Sequence, residues 1–206
     1  MNGAWEKHPS SAPESAALSL KIPFNDPTVL QRLSKKLEDY LDALSPERRV
    51  VIVCVGTDRS TGDSLGPLVG TALSRESNPL FDLYGTLEEP VHAMNLGDTL
   101  LKIMRSSRQP FVIAIDACLG QVSSVGCIQL GSGPVRPGAG VNKELPPVGD
   151  IHMTGIVNVG GFMEYFVLQN TRLNLVVKMS EIIAQSLLNA VHNTRKNKVI
   201  PFALPD

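Results

Sequence analysis

No charge of one sign dominates this chain. Lysine plus arginine number 19 and aspartate plus glutamate 20, a net charge of −1, so the basic face that nucleic-acid-binding modules carry is missing. Cysteine is scarce. The three present, Cys54, Cys118 and Cys127, show no Cys-x-x-Cys spacing, which removes zinc ribbons and thioredoxin-type redox motifs. Cys54 and Cys118 lie in or beside apolar runs and read as buried thiols rather than disulfide partners. No apolar run approaches the ~20 residues that cross a bilayer. The segment Met1–Phe24 lacks the basic start and apolar stretch of a signal peptide, and no internal repeat is visible. What remains is a chain of 206 residues, 43% hydrophobic and 19% charged, which is enough for one well-cored globular unit. The expectation is a soluble, cytoplasmic protein with neither nucleic acid nor membrane as partner.

The pattern along the chain divides it in two. Residues 1–25 carry Pro9, Pro13, Pro23 and several serines without periodicity and read as a mobile N-terminal tail. Residues 26–206 read as a single domain. It opens with a helix over Thr28–Leu44, where Val29, Leu30, Leu33, Leu37, Tyr40, Leu41 and Leu44 recur at helical steps behind Pro27. Val50–Val55 and Phe111–Ile115 are unbroken apolar, β-branched runs, the signature of strands covered on both faces. Short strands are expected at Phe81–Tyr84, Val91–Met94 and Val125–Leu130. Helices are expected at Ser64–Arg75, Leu96–Met104, Gly161–Gln169 and Leu173–His192. A long glycine- and proline-rich loop fills 131–149 and is expected to border the site. Strands alternating with helices predict an α/β three-layer sandwich, with a mainly parallel or mixed central sheet and helices on both faces.

Ligands of such sheets bind at the carboxyl ends of the strands. Two segments bring acids there: Gly56-Thr-Asp-Arg-Ser-Thr-Gly-Asp-Ser-Leu-Gly-Pro67, with Asp58 and Asp63, and Phe111–Ile115, which runs straight into Asp116. If the two strands are neighbours, Asp63 and Asp116 face each other and could share a proton, activate a water or hold a metal ion. The plainer alternatives are a helix-capping role for Asp63 and a hydrogen-bonded structural role for Asp116. The same loop invites two other readings. As a phosphate-binding loop it has one residue too many, and it puts Asp63 where the lysine belongs. As a nucleophile elbow, Gly62-Asp-Ser-Leu-Gly66 presents Ser64, with Asp116 and His152 following in hydrolase order, but Ser64 lies nine residues past Val55. Of four histidines, His8 and His192 lie at the chain's margins and His92 follows an acidic stretch. His152, in Gly149-Asp-Ile-His-Met-Thr-Gly155, is the candidate third member of the site, against the plain reading of a structural histidine. Glu164 reads as a helix-face residue.

Taken together, the strings Gly56 to Pro67, Ala114-Ile-Asp-Ala-Cys118, Gly133-Pro-Val-Arg-Pro-Gly-Ala-Gly140 and Asn158 to Asn170 resemble the YyaC-type sporulation proteins of endospore-forming bacteria. The resemblance runs from about Val50 to the last helix. That family is similar in turn to the spore germination protease and to the hydrogenase maturation endopeptidases. The resemblance implies a peptidase-like α/β fold and a sporulation-associated peptidase, acting in the sporulating cell or forespore on a protein or peptide substrate such as spore proteins. It makes Asp63 and Asp116 the catalytic pair, with His152 as third member. It also implies that the same three would be the ligands if a divalent metal ion is bound. In the implied chemistry the carboxylate pair activates water for peptide-bond hydrolysis. A non-catalytic peptidase-like binding protein and a serine hydrolase using Ser64 stand as alternatives.

Overall fold

The computed structural model describes residues 19–76, 80–138 and 145–195. Its centre is a six-stranded mixed sheet in the order β1-β5-β6-β4-β2-β3, formed by β1 (Leu20–Pro23), β2 (Val50–Cys54), β3 (Phe81–Tyr84), β4 (Phe111–Gly120), β5 (Cys127–Ser132) and β6 (Ile151–Val159). The two apolar runs do become adjacent central strands: β2 pairs in parallel with β4, Val50 opposite Phe111 through Cys54 opposite Ile115. β3 and β6 extend the parallel set, while β5 runs antiparallel to β6 and β1 antiparallel to β5.

Side chains alternate across the sheet, so each central strand feeds two cores. One set (Val50, Ile52, Cys54, Ile113, Ile115, Ile151 and Met153) meets α1 (Val29–Asp42), α2 (Leu65–Ser74) and α5 (Leu173–Arg195). The other (Val51, Val53, Val112 and Ala114) meets Leu96, Leu100 and Ile103 of α3 (Leu96–Ser106). The expected three-layer α/β sandwich is therefore observed. The layers are unequal: α1, α2 and α5 pack on one face and α3 on the other. In α1 the positions Val29, Leu33, Leu37, Tyr40 and Leu41 are buried as their spacing requires, whereas Leu30 is exposed and Leu44 lies past the helix end. A Leu→Ala change at Leu33 or Leu37 removes a fully buried side chain and costs about 2–5 kcal/mol.

Three expectations need correction. Leu20–Pro23, assigned to the tail, is an edge strand paired with Cys127–Leu130; burial of Ile22 against the core holds a segment whose prolines suggested a coil. The rest of the expected tail, residues 1–18, lies outside the described residues. Val91–Met94 is not a strand: Val91 forms one isolated bridge to Val55, and a turn leads into α3. β6 was not expected as a strand at all. Its polar residues and Gly155 hide a run buried at Ile151, Met153, Thr154, Ile156 and Val157. The glycine is there because a Cβ at 155 would lie 2.4 Å from the Leu65 side chain. Part of the long loop, 139–144, also falls outside the described residues.

Candidate functional site

The site forms where β2 stops and β4 continues. At Gly56 the chain leaves β2 with φ +146°, and a Cβ there would fall 2.0 Å from the Asp63 carbonyl oxygen. Only glycine lets the returning loop close this tightly. The Thr57 N–H donates to that carbonyl at 3.1 Å, so Asp63 is drawn back over the strand ends. Asp63 sits inside a 3₁₀ turn, Gly62–Ser64, that feeds α2. It is not the capping residue of α2: Ser64 occupies that position, and no side chain caps the helix there.

Asp116 follows Ile115, the last residue of β4 paired with β2. Its Oδ1 accepts a hydrogen bond from the Ala117 N–H at 2.9 Å. Neither Asp63 nor Asp116 makes an ion pair among the described residues. Burial pushes the Asp116 carboxyl up to about 8; the Ala117 hydrogen bond opposes this, and the charge of Asp63 adds to it. Asp63 is raised as well, by burial, with the Ser60 hydroxyl beside it pulling the other way. The physical picture is two neighbouring acids in a poorly solvated place to which no described residue supplies a neutralising cation. At neutral pH the Asp116 carboxyl therefore holds its proton.

His152 lies on the same sheet face, one rung lower. It pairs with Ala114, while Asp116 pairs with Thr154. Its ring packs over Gly131 of β5, and its Nδ1 is 2.9 Å from the Gly133 carbonyl oxygen. A carbonyl can only accept, so Nδ1 carries a proton and donates it to Gly133. His152 is thus a diagonal neighbour of Asp116 on this face, with its Nδ1 engaged by Gly133. Among the described residues no three His, Cys, Asp or Glu side chains are arranged to hold a metal ion. A metal held jointly by Asp63, Asp116 and His152 does not fit this arrangement.

Ser64 does not fit the nucleophile elbow either. It is 6% exposed, and its hydroxyl donates to the Thr61 carbonyl at 2.7 Å, so no base activates it. Asp58 stays exposed on the loop. His92 forms a turn, with Nδ1 accepting from the Met94 N–H. Glu164 opens α4 (Glu164–Gln169) and accepts from the Gly161 N–H at 3.2 Å. Cys118 and Thr154 are neighbours of Asp116 that sequence reasoning missed. Burial, and then the charge of Asp116, raise the Cys118 thiol against a hydrogen bond with Thr154. The strand period of two after Asp116 was the available signal for Cys118.

The model of the family described as "Protein of unknown function (DUF1256)" matches residues 21–186. A Bacillus subtilis (strain 168) protein described as "Uncharacterized protein YyaC" is 62% identical over 138 residues, which is 67% of this chain and 67% of that protein. Among solved structures, the [NiFe] hydrogenase maturation protease HycI from Thermococcus kodakarensis KOD1 aligns with a TM-score of 0.50 at 17% identity. The alignment covers 74% of this chain and 97% of that one. At that identity the likeness is one of fold.

Proposed function

The chain belongs to the DUF1256 family, and from that membership and the site geometry we propose that it is a peptidase-like hydrolase whose Asp63 and Asp116 activate water. The observation that carries the reading is the half-buried carboxylate pair at the crest of β2 and β4, to which no described residue supplies a cation. Keeping such a pair costs stability, and uncompensated acids cluster where chemistry needs them. Asp63, the less strongly perturbed of the two, is the base and takes one proton from a water. The water oxygen bonds to the peptide carbonyl carbon. Asp116, protonated, gives its proton to the departing nitrogen as the C–N bond breaks. One water is consumed and a carboxyl and an amine result. Each proton-transfer role is worth about 10²–10⁴ in rate. His152 is oriented by Gly133 on the next rung of the same face and plays at most a supporting part. No step is routed through a metal. The resemblance to sporulation proteins makes the cytoplasm of a spore-forming cell the setting and small acid-soluble spore proteins the substrates to try.

The engagement of His152 Nδ1 by Gly133 favours a second reading, a peptidase-like fold kept as a binding module. One assay separates the two. Carboxymethylated casein and purified spore proteins are incubated with wild type, Asp63→Asn and Asp116→Asn, and new termini are read by mass spectrometry. New termini with wild type alone support the hydrolase. Identical outcomes in all three leave the binding module.

A further inference from the structure

β4 outruns its neighbour. Pairing with β2 ends at Ile115, yet β4 continues to Gly120 against β6. The Val55 N–H donates to the Ile115 carbonyl at 2.7 Å, so the Ile115 peptide faces β2. By the alternation of strand peptides, Ala117 and Leu119 face the same way, into the space that β2 has vacated. The opposite side is spoken for: Asp116, Cys118 and Gly120 face β6, and the Gly160 N–H reaches the Gly120 carbonyl at 2.9 Å. On the vacated side the Ala117 N–H is taken by Asp116 itself. Among the described residues no backbone group or side chain bonds the Ala117 carbonyl or the Leu119 N–H and C=O. This is an open edge in the middle of a sheet, beginning at the catalytic carboxylate.

The sheet's outer edges are guarded. β1 carries Lys21 and Pro23, and β3 carries Asp82 in an ion pair with Arg49, devices that discourage strand addition. Among the described residues the β4 gap carries no such guard. Gly160 lies against Leu119, where a Cβ would be 3.2 Å from the Leu119 Cβ. The segment that follows exposes Phe162 (83%), Met163, Tyr165 and Phe166 (56%). Met163 is held in the left-handed region at φ 49°, a strained conformation that presents these side chains as a ledge.

We propose that the substrate is an extended polypeptide segment that adds as a strand along Ala117–Gly120, its main chain pairing with the Leu119 N–H and the Ala117 carbonyl, and its apolar side chains resting on the Phe162–Phe166 ledge. The inference rests on the hydrolase reading of the same site and names how its substrate is held. Main-chain pairing gives affinity without strict sequence selection, and the ledge adds a preference for apolar residues. It also brings a peptide bond next to Asp116, because the edge starts there.

The test is amide hydrogen exchange followed residue by residue in wild type and Asp63→Asn, with and without unfolded carboxymethylated casein. In the free protein the Leu119 N–H should exchange fast, against slow Cys118 and Gly120. Casein should slow Leu119 at least tenfold and leave the amides of β1 and β3 unchanged. Protection elsewhere, or none with casein present, overturns the proposal, since backbone pairing is available to any unfolded chain. Slowing that grows with protein concentration and needs no casein identifies a second copy as the occupant and also overturns it. Casein cleaved without Leu119 protection leaves the hydrolase standing and removes strand addition. Leu119 protected without cleavage does the reverse.

Discussion

Asp150, just before β6, and Asp116, midway along β4, flank the same two strands and live in opposite circumstances. Asp150, just before β6, accepts from Arg48 Nη2 at 3.2 Å and from the Val112 N–H at 2.8 Å. Arg48 also donates to the Gln109 and Pro110 carbonyls and stacks over Phe111 at 5.2 Å. Every charge there has a partner, and the group ties a loop to two strands. Asp116 has one N–H and a second acid for company. A half-buried acid with a cation and a backbone donor builds structure; one with a backbone donor and no described cation is retained at a cost, which the proposed hydrolytic role would explain.

The sharpest way to break this comparison is to neutralise each acid in turn. Asp116→Asn and Asp63→Asn should lower casein cleavage by about 10²–10⁴-fold, the worth of one general acid or base. Asp150→Asn should leave the rate per folded molecule within a few-fold of wild type. Equal losses at Asp150 and Asp116 in initial-rate measurements would abolish the distinction.

Stability should reverse the ranking. Asp150→Ala strands Arg48 and the Val112 N–H and should cost about 1–3 kcal/mol, which a thermal melt reads as a fall of about 2–10 °C. Asp116→Asn at neutral pH should melt at or above the wild-type temperature, because wild type must take up a proton on folding and the amide need not.

The pH dependence sharpens the same point. Asp116 is raised from 3.8 to about 8 on folding, so between these values the folded state binds the extra proton. The stability linked to this group is therefore full below pH 3.8 and is lost as pH rises through about 8. Denaturant melts at pH 5, 7 and 9 should show wild type weakening with pH more steeply than Asp116→Asn. A parallel pair of profiles would place the Asp116 carboxyl in water.

The smallest effect belongs to Ser64. Removing its bond to the Thr61 carbonyl should cost about 1 kcal/mol. Cleavage by Ser64→Ala should match wild type, and a fluorophosphonate should label neither protein at this position. Covalent labelling of Ser64 would revive the elbow.

How much of the site could be read beforehand varied with the kind of signal. β2, β4 and the helices declared themselves because burial on one face imposes a period that residue types display directly. Asp116 was legible as the acid ending an apolar strand. Asp63 was legible as an acid in a glycine-rich loop that follows one. Both signals are local. β6 was obscured because its buried positions include threonine and glycine, whose place depends on Leu65 and the partner strands rather than on their own character. β1 was missed because four residues at a sheet edge contain too few positions to show a pattern.

From its sequence alone the chain settled its class, its central strands and the two acids at their ends, since hydrophobic pattern and chain direction are written in consecutive residues. Distances between remote residues are not. Only the tertiary structure decided that β2 lies beside β4 and so brings Asp63 to Asp116, that register leaves His152 a rung below with its Nδ1 on Gly133, and that β4 extends past β2 to leave an open edge. Each of these depends on which strands pair and where a strand stops, and those outcomes arise from packing the whole sheet between its helices.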